Sequence, residues 1–370
     1  MKKDCCTVPE RLGKVGGQAV LEGVMMKAGT HTVTTCRKED GSIVTAEEEF
    51  VSVRKKHKWL NIPILRGVVN FVEMMKLSFT TLGASADAMG LEETEGRFEK
   101  WMKKHLGLSA TDLIMGIGLV LGVLLAVGLF MFLPAFLTDL LDTLIGGRLG
   151  VLRAVVEGIV KVGIFLAYLW LVALMPDIRR TFMYHGAEHK SIACFEAGAE
   201  LTPEGAMQYK RFHPRCGTSF MFFMILIGIL VGLSIRFWLP GLLGWQYFLL
   251  RLALLPIVVG IGYEFILFAG KHDNIFVRML SAPGLWVQRI TTREPTADML
   301  EIAIISLKCA LRDDIPEFRT FYEARSWEQT AEQVSAAEQM STEDSAQTDA
   351  TEDEGTVPSA EPTEDAEPTV

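Results

Sequence analysis

Three of the seven histidines and two of the six cysteines fall in one stretch, Tyr184 to Thr218, YHGAEHKSIACFEAGAELTPEGAMQYKRFHPRCGT, lying between two hydrophobic runs. On a helix His185 and His189 are four apart, share one face and can grip one metal ion, with Glu188 beside them as a candidate base. The order H-x-x-E-H is that of the inverted zinc hydrolases. Further on, His213 and Cys216 make an H-x-x-C pair of good zinc donors, and Pro214 between them argues for a turn. Glu264, near the end of a later apolar run, is a further candidate ligand, because an ionisable group there is a functional hypothesis by default.

Three readings of these residues compete. In the catalytic one, His185 and His189 with one of His213, Cys216 or Glu264 hold Zn2+, and Glu188 deprotonates a water in the open position. In the structural one, His185, His189, His213 and Cys216 close a four-ligand site that pins the loop. In the third, the histidines only bond to neighbours and lipid headgroups. Cys194 and Glu196 follow His189 closely; they can join a site, and Cys194 reads equally well as a small buried hydrophobe.

The elements that must position these residues are hydrophobic spans. Apolar residues make up 49% of the 370 and are bunched rather than periodic. Leu113 to Thr138 carries no charge, which is enough to cross a bilayer core, since roughly 20 residues suffice. Four spans are expected, at about 113–137, 154–175, 219–239 and 247–269, forming a membrane domain over 111–270 with the candidate metal-site loop at 176–218. Within the second, Glu157 and Lys161 are four apart and must pair or face the bundle. Lys and Arg cluster at Arg97–Lys104, between spans two and three, and after span four, so the positive-inside bias predicts a multi-pass cell-membrane protein with both termini and the histidine stretch in the cytoplasm. No signal peptide is read at the charged N-terminus. Cysteines on that side are expected to be thiols or metal ligands; the adjacent Cys5 and Cys6 read as an exposed pair.

Outside the spans, residues 1–12 read as a flexible N-terminus and 13–110 as a cytoplasmic unit. Its first part, to about residue 53, reads as a small β unit, with Asp40-Gly41 as a hairpin turn. The glycines at 13, 16, 17 and 23 lack the spacing of a phosphate loop, which argues against nucleotide binding, and Glu22 is either a ligand or a buried polar contact. Residues 59–83 carry Ile64, Val68, Phe71, Val72, Met75 and Phe79 at helical spacing and read as an interfacial or core-packed amphipathic helix, followed by a polar helical connection over 84–110. In the C-terminal region 271–326, Pro283, Gly284 and Pro295 punctuate the chain, and a cytoplasmic amphipathic helix then presents Leu300, Ala303, Ile304 and Leu307 opposite Glu301 and Lys308. From Trp327 to the end there are thirteen acidic and no basic residues, so 327–370 is expected to be a disordered tail. That tail accounts for the net charge of −9, because the other 326 residues hold 36 basic against 32 acidic groups. The expected fold class is thus an α-helical integral membrane protein with a small N-terminal β-rich unit and an amphipathic C-terminal helix.

The segments GGQAVLEGVMMK, HGAEHKSI, HPRCGTSF and APGLWVQRITTREP together resemble the YqhQ-like bacterial membrane proteins, a family with a domain of unknown function; the resemblance covers roughly Gly13 to Arg312. It implies a metal-dependent enzyme and carries over His185, Glu188, His189, His213 and Cys216 as members of the matching motifs. The expectation is a zinc-dependent hydrolase working at the bilayer on a lipid-associated substrate, with no nucleic-acid partner. The alternative is a non-enzymatic scaffold or transporter component with a metal-pinned loop. Transport is disfavoured because the polar residues of the spans lie toward their ends rather than at the midplane.

Overall fold

The computed structural model describes residues 8, 10–89, 110–271 and 275–325. Cys5 and Cys6, the basic cluster Arg97–Lys104 and the acidic tail lie outside these residues. Residues 312–325 belong to a separate unit and are left aside.

Four strands, β1 (Val15–Val20), β2 (Gly23–Ala28), β3 (His31–Arg37) and β4 (Ile43–Glu49), form an antiparallel meander in the order β1-β2-β3-β4. The β3–β4 turn is at Asp40-Gly41, where Gly41 has φ +86° and Ser42 N–H donates to Asp40 Oδ1 at 2.8 Å. Strand partners share a face, so the register puts Gln18, Val20, Met25 and Cys36 on one side and Gly17, Val24, Met26 and Val33 on the other.

Both faces are covered, which is why β2 is buried at nearly every position rather than at alternate ones. Helix α1 (Leu65–Ala88) covers the first, packing Leu77 and Met74 on Val20, Met25 and Cys36. Val72, Met75 and Phe79, which the helical spacing of 59–83 placed on its apolar stripe, are exposed, and the residues that pack on the sheet lie outside that stripe.

The apolar segments follow. Helix α2 (Ala110–Val127) runs through a π-turn, Gly128–Phe132, into α3 (Leu133–Leu144). The first apolar helix therefore extends to Leu144 rather than to about 137. Pro134 does not end it, because it sits in the first turn after the π-turn, where a missing N–H is tolerated. Next come α4 (Arg153–Val172), α5 (Pro176–Glu196), α6 (Gly217–Trp238) and α7 (Gly244–Lys271). Gly116–Leu144, Arg153–Val172, Gly217–Trp238 and Gly244–Ala269 are four helices long and apolar enough to cross a membrane.

One C-terminal expectation changes. Pro283 and Gly284 do not punctuate the chain but lie inside α8 (Ile275–Thr291). Gly284 is there for a close crossing with α6: a Cβ would sit 2.8 Å from the Ser219 Cβ. Helix α9 (Ala297–Ala310) buries the expected stripe of Leu300, Ala303, Ile304 and Leu307 and leaves Glu301 exposed, and its burial extends beyond that stripe. Met299, Leu300, Ile302 through Leu307, Cys309 and Ala310 are all buried, because the second sheet face lies on one side and α5 on the other. Ser306 Oγ donates to Val33 O at 2.7 Å, tying α9 to β3.

Candidate metal centre

The segment between the second and third apolar helices is itself mostly helix. Pro176 opens α5 at a first-turn position, and Gly198, with φ +68°, ends it, its N–H donating to Phe195 O at 3.0 Å. His185 and His189 therefore sit one turn apart, with ring centroids separated by 4.4 Å. The α5 backbone comes up against residues 291–295 at Gly186, where any side chain would collide with the Arg293 carbonyl. Arg293 N–H donates to Phe182 O at 2.8 Å, and Lys190 Nζ meets Glu294 at 2.7 Å.

That close approach fixes the histidine tautomers. His185 Nδ1 lies 2.8 Å from Thr291 O, and His189 Nδ1 lies 2.5 Å from Arg211 O. A carbonyl only accepts, so both Nδ1 atoms donate, and each ring has its Nε2 left for the cluster. Metal-binding histidines are held by such backbone acceptors.

Cys216 closes the cluster as the residue preceding α6, its Sγ 3.2 Å from His185 Nε2 and 3.2 Å from Thr218 Oγ1. The ligand atoms of His185, His189 and Cys216 all lie within 4.8 Å of one another. The turn carrying Cys216 is held by Gln288 of α8, which is fully buried. Its Oε1 accepts from His213 N–H at 2.8 Å, and its Nε2 donates to His213 O at 2.7 Å and to Ser219 Oγ at 3.0 Å.

Glu188 is buried beside this cluster, with Oε2 4.0 Å from His185 Nε2. Among the described residues that oxygen has no hydrogen-bond partner. Burial pushes its carboxyl up to about 8, outweighing the opposing influence of His185. Strand β1 reaches it through Gly17, where a Cβ would lie 2.9 Å from Glu188 Cγ and 2.7 Å from Met25 O. Burial lowers the His189 and His213 imidazoles, favouring the neutral form. Burial alone would raise the Cys216 thiol, but His189 and Thr218 bring it below its ordinary value.

Two further candidates are not brought to this cluster. His213 stands near it, its ring 5.5 Å from that of His189, but its Nε2 faces Glu196 Oε2 at 3.6 Å. Glu196 also takes Arg215 and the Gly13 N–H. Glu264 is engaged elsewhere: both its oxygens take the Arg66 guanidinium, and Oε1 also accepts from Ile64 N–H. Cys194 donates to Glu200 O, and Glu22 pairs with Arg180 and Tyr184 of α5, so it is a polar contact and not a ligand. Sequence reasoning missed Gly17, Arg211, Gln288 and Thr291. Three of these act through the backbone or by being small, and Gln288 sits in a segment read as punctuated by Pro283, Gly284 and Pro295.

The donor set fits a zinc ion: two imidazoles whose Nδ1–H groups are held by backbone carbonyls, a thiol biased toward thiolate, and a buried carboxyl oxygen with no hydrogen-bond partner among the described residues.

The family described as "Protein of unknown function (DUF1385)" matches residues 62–313, which include every one of the candidate ligands and Glu188. "Uncharacterized protein YqhQ" of Bacillus subtilis (strain 168) is 36% identical over 304 residues, covering 80% of this chain and 92% of that protein. No solved structure matches. The chain belongs to the DUF1385 family of YqhQ-like proteins.

Proposed function

We propose that this protein is a multi-pass membrane enzyme, a zinc-dependent hydrolase whose site faces the cytoplasm and acts on a lipid-associated substrate. The observation that carries the reading is the buried Glu188 Oε2, without a hydrogen-bond partner among the described residues, beside three convergent donors. A structural clamp has no use for such an oxygen, whereas a proton-transfer group needs one.

His185 Nε2, His189 Nε2 and Cys216 Sγ would hold the ion, with the Nδ1–H donors to Thr291 and Arg211 keeping both rings in register. A bound zinc ion supplies Lewis acidity and lowers the pKa of water. Glu188 then takes a proton from the attacking water and returns it to the leaving group, its carboxyl raised toward the range where both steps are feasible. Gly17 keeps β1 close over the carboxylate and helps to shut out bulk water. His213 belongs to the supporting Glu196–Arg215 network rather than to the ligand set.

The membrane setting rests on the four apolar helices and the Lys/Arg asymmetry. Cys216 immediately precedes α6, so the cluster lies where that apolar helix begins, a depth that suits a substrate anchored in lipid.

The test compares zinc content and genetic complementation in Glu188→Gln, Cys216→Ser and the wild type. The expected result is full zinc and lost function for Glu188→Gln, and lost zinc for Cys216→Ser. A Glu188→Gln protein with full function would rule out the mechanism even if zinc is bound.

A further inference from the structure

The end of the helical bundle opposite the histidines carries a charge cluster that the proposed chemistry does not use. Helices α4 and α7 start there and α6 ends there, which gathers Arg153, Glu157 and Lys161, Arg236, and Tyr247 and Arg251. Glu157, 4% exposed, pairs with Arg251, and Arg153 pairs with Asp139 of α3. Tyr247 lies between two guanidinium groups, those of Arg236 and Arg251, 4.5 Å and 5.2 Å from its ring centroid. Lys161 is 9% exposed and within Coulombic range of Glu157 and Arg251, yet among the described residues it forms no hydrogen bond or ion pair.

Among the described residues Arg153 pairs with Asp139 and Arg251 with Glu157, while Lys161 and Arg236 have no ion pair with a carboxylate, leaving a cationic surplus. An unpartnered ammonium inside an apolar bundle is costly. Under the topology proposed above, this surplus also lies on the side that the positive-inside bias disfavours. An anion bound between these groups offsets both costs.

The position narrows the anion's source. Lys161 is eight residues beyond Arg153, about 12 Å into the helix, and its stem leans back toward the helix N-terminus and so toward the interface. At the interface toward which that stem leans, lipid phosphates are the abundant anions. We propose that Lys161, Arg236 and Arg251 form a binding site for the phosphate of an anionic lipid headgroup, at the bundle end remote from the histidine–cysteine cluster.

The test uses the full chain in neutral detergent, titrated separately with phosphatidylglycerol, phosphatidylcholine and inorganic phosphate, with thermal stability as the readout. Phosphatidylglycerol should stabilise the wild type, while the other two should not at equal concentration. Lys161→Met should weaken the phosphatidylglycerol response at least about tenfold, the worth of a charge-assisted hydrogen bond. Without lipid it should be no less stable than wild type, because it removes a buried charge that has no partner; its zinc content should be unchanged. Lys161→Arg should keep most of the response.

An unchanged phosphatidylglycerol response in both Lys161→Met and Arg236→Gln would overturn the proposal. So would an equal response to phosphatidylcholine, which needs no anion site. A response to inorganic phosphate matching that to phosphatidylglycerol would overturn the lipid assignment in favour of a free-anion site. A Lys161→Met chain that fails to fold counts against the proposal, since its ammonium would then be needed by the protein itself.

Discussion

Replacing Glu188 by Gln should make the metal-free protein more stable, and increasingly so as pH rises. The carboxyl moves from an ordinary 4.5 to about 8 in the folded chain, so folding favours its protonated form. As pH climbs through 4.5, the unfolded chain gives up this proton while the folded chain keeps it. The penalty is therefore absent below about 4.5, grows by about 1.4 kcal/mol per pH unit, and is complete above about 8. Its ceiling is on the order of 5 kcal/mol, or roughly 10 °C in Tm for a chain of this size. Gln keeps the shape and carries no titrating proton, so that part of the slope disappears. Other titrating groups are common to both proteins and cancel in the difference.

The assay is thermal unfolding of both proteins in neutral detergent with a chelator, at pH 5, 7 and 8.5. The curves should nearly coincide at pH 5 and separate progressively above it, with Gln the more stable. Zinc added to the wild type should close the gap, because a cation beside the carboxylate removes the cost of ionising it. Parallel pH profiles, or a Gln variant less stable throughout, would show that Glu188 has a partner in the folded protein and would sink the argument for a proton-transfer role.

Other outcomes follow from the same geometry. Gln288→Leu removes three hydrogen bonds and strands the His213 backbone groups, so it should cost about 2–4 kcal/mol and lower zinc affinity, read by unfolding and by competition with a chelator. Retained affinity would mean that the turn holding Cys216 is fixed by other contacts. Gly17→Ala forces a Cβ against Met25 O and Glu188 Cγ and should cost about 1–3 kcal/mol; an unchanged Tm would place β1 farther from α5 than described. In a chain lacking Cys5 and Cys6, a cysteine introduced at the exposed Gln208 should resist impermeant labelling in intact cells and react once the membrane is opened. Labelling from outside would reverse the proposed orientation.

The sequence by itself determined the features that depend on near neighbours along the chain. Uncharged runs marked the apolar helices because a bilayer-length helix needs little beyond consecutive apolar residues, and Asp40-Gly41 marked its turn because glycine tolerates positive φ. The four-residue spacing of His185 and His189 put them on one helix face before any packing was known. Tertiary structure decided the rest. Pro283 read locally as punctuation, yet it lies inside α8. The apolar stripe of α9 was legible from its spacing, but its burial beyond that stripe was not, because the sheet and α5 pack on it from both sides. The ligand set was open among His213, Cys216 and Glu264, since donor chemistry alone ranks them alike. Only folding committed Glu264 to Arg66, turned His213 toward Glu196, and brought Cys216 to the histidines. The same long-range packing left one oxygen of Glu188 buried without a partner, because hydrogen-bond satisfaction depends on which backbone groups arrive from distant parts of the chain.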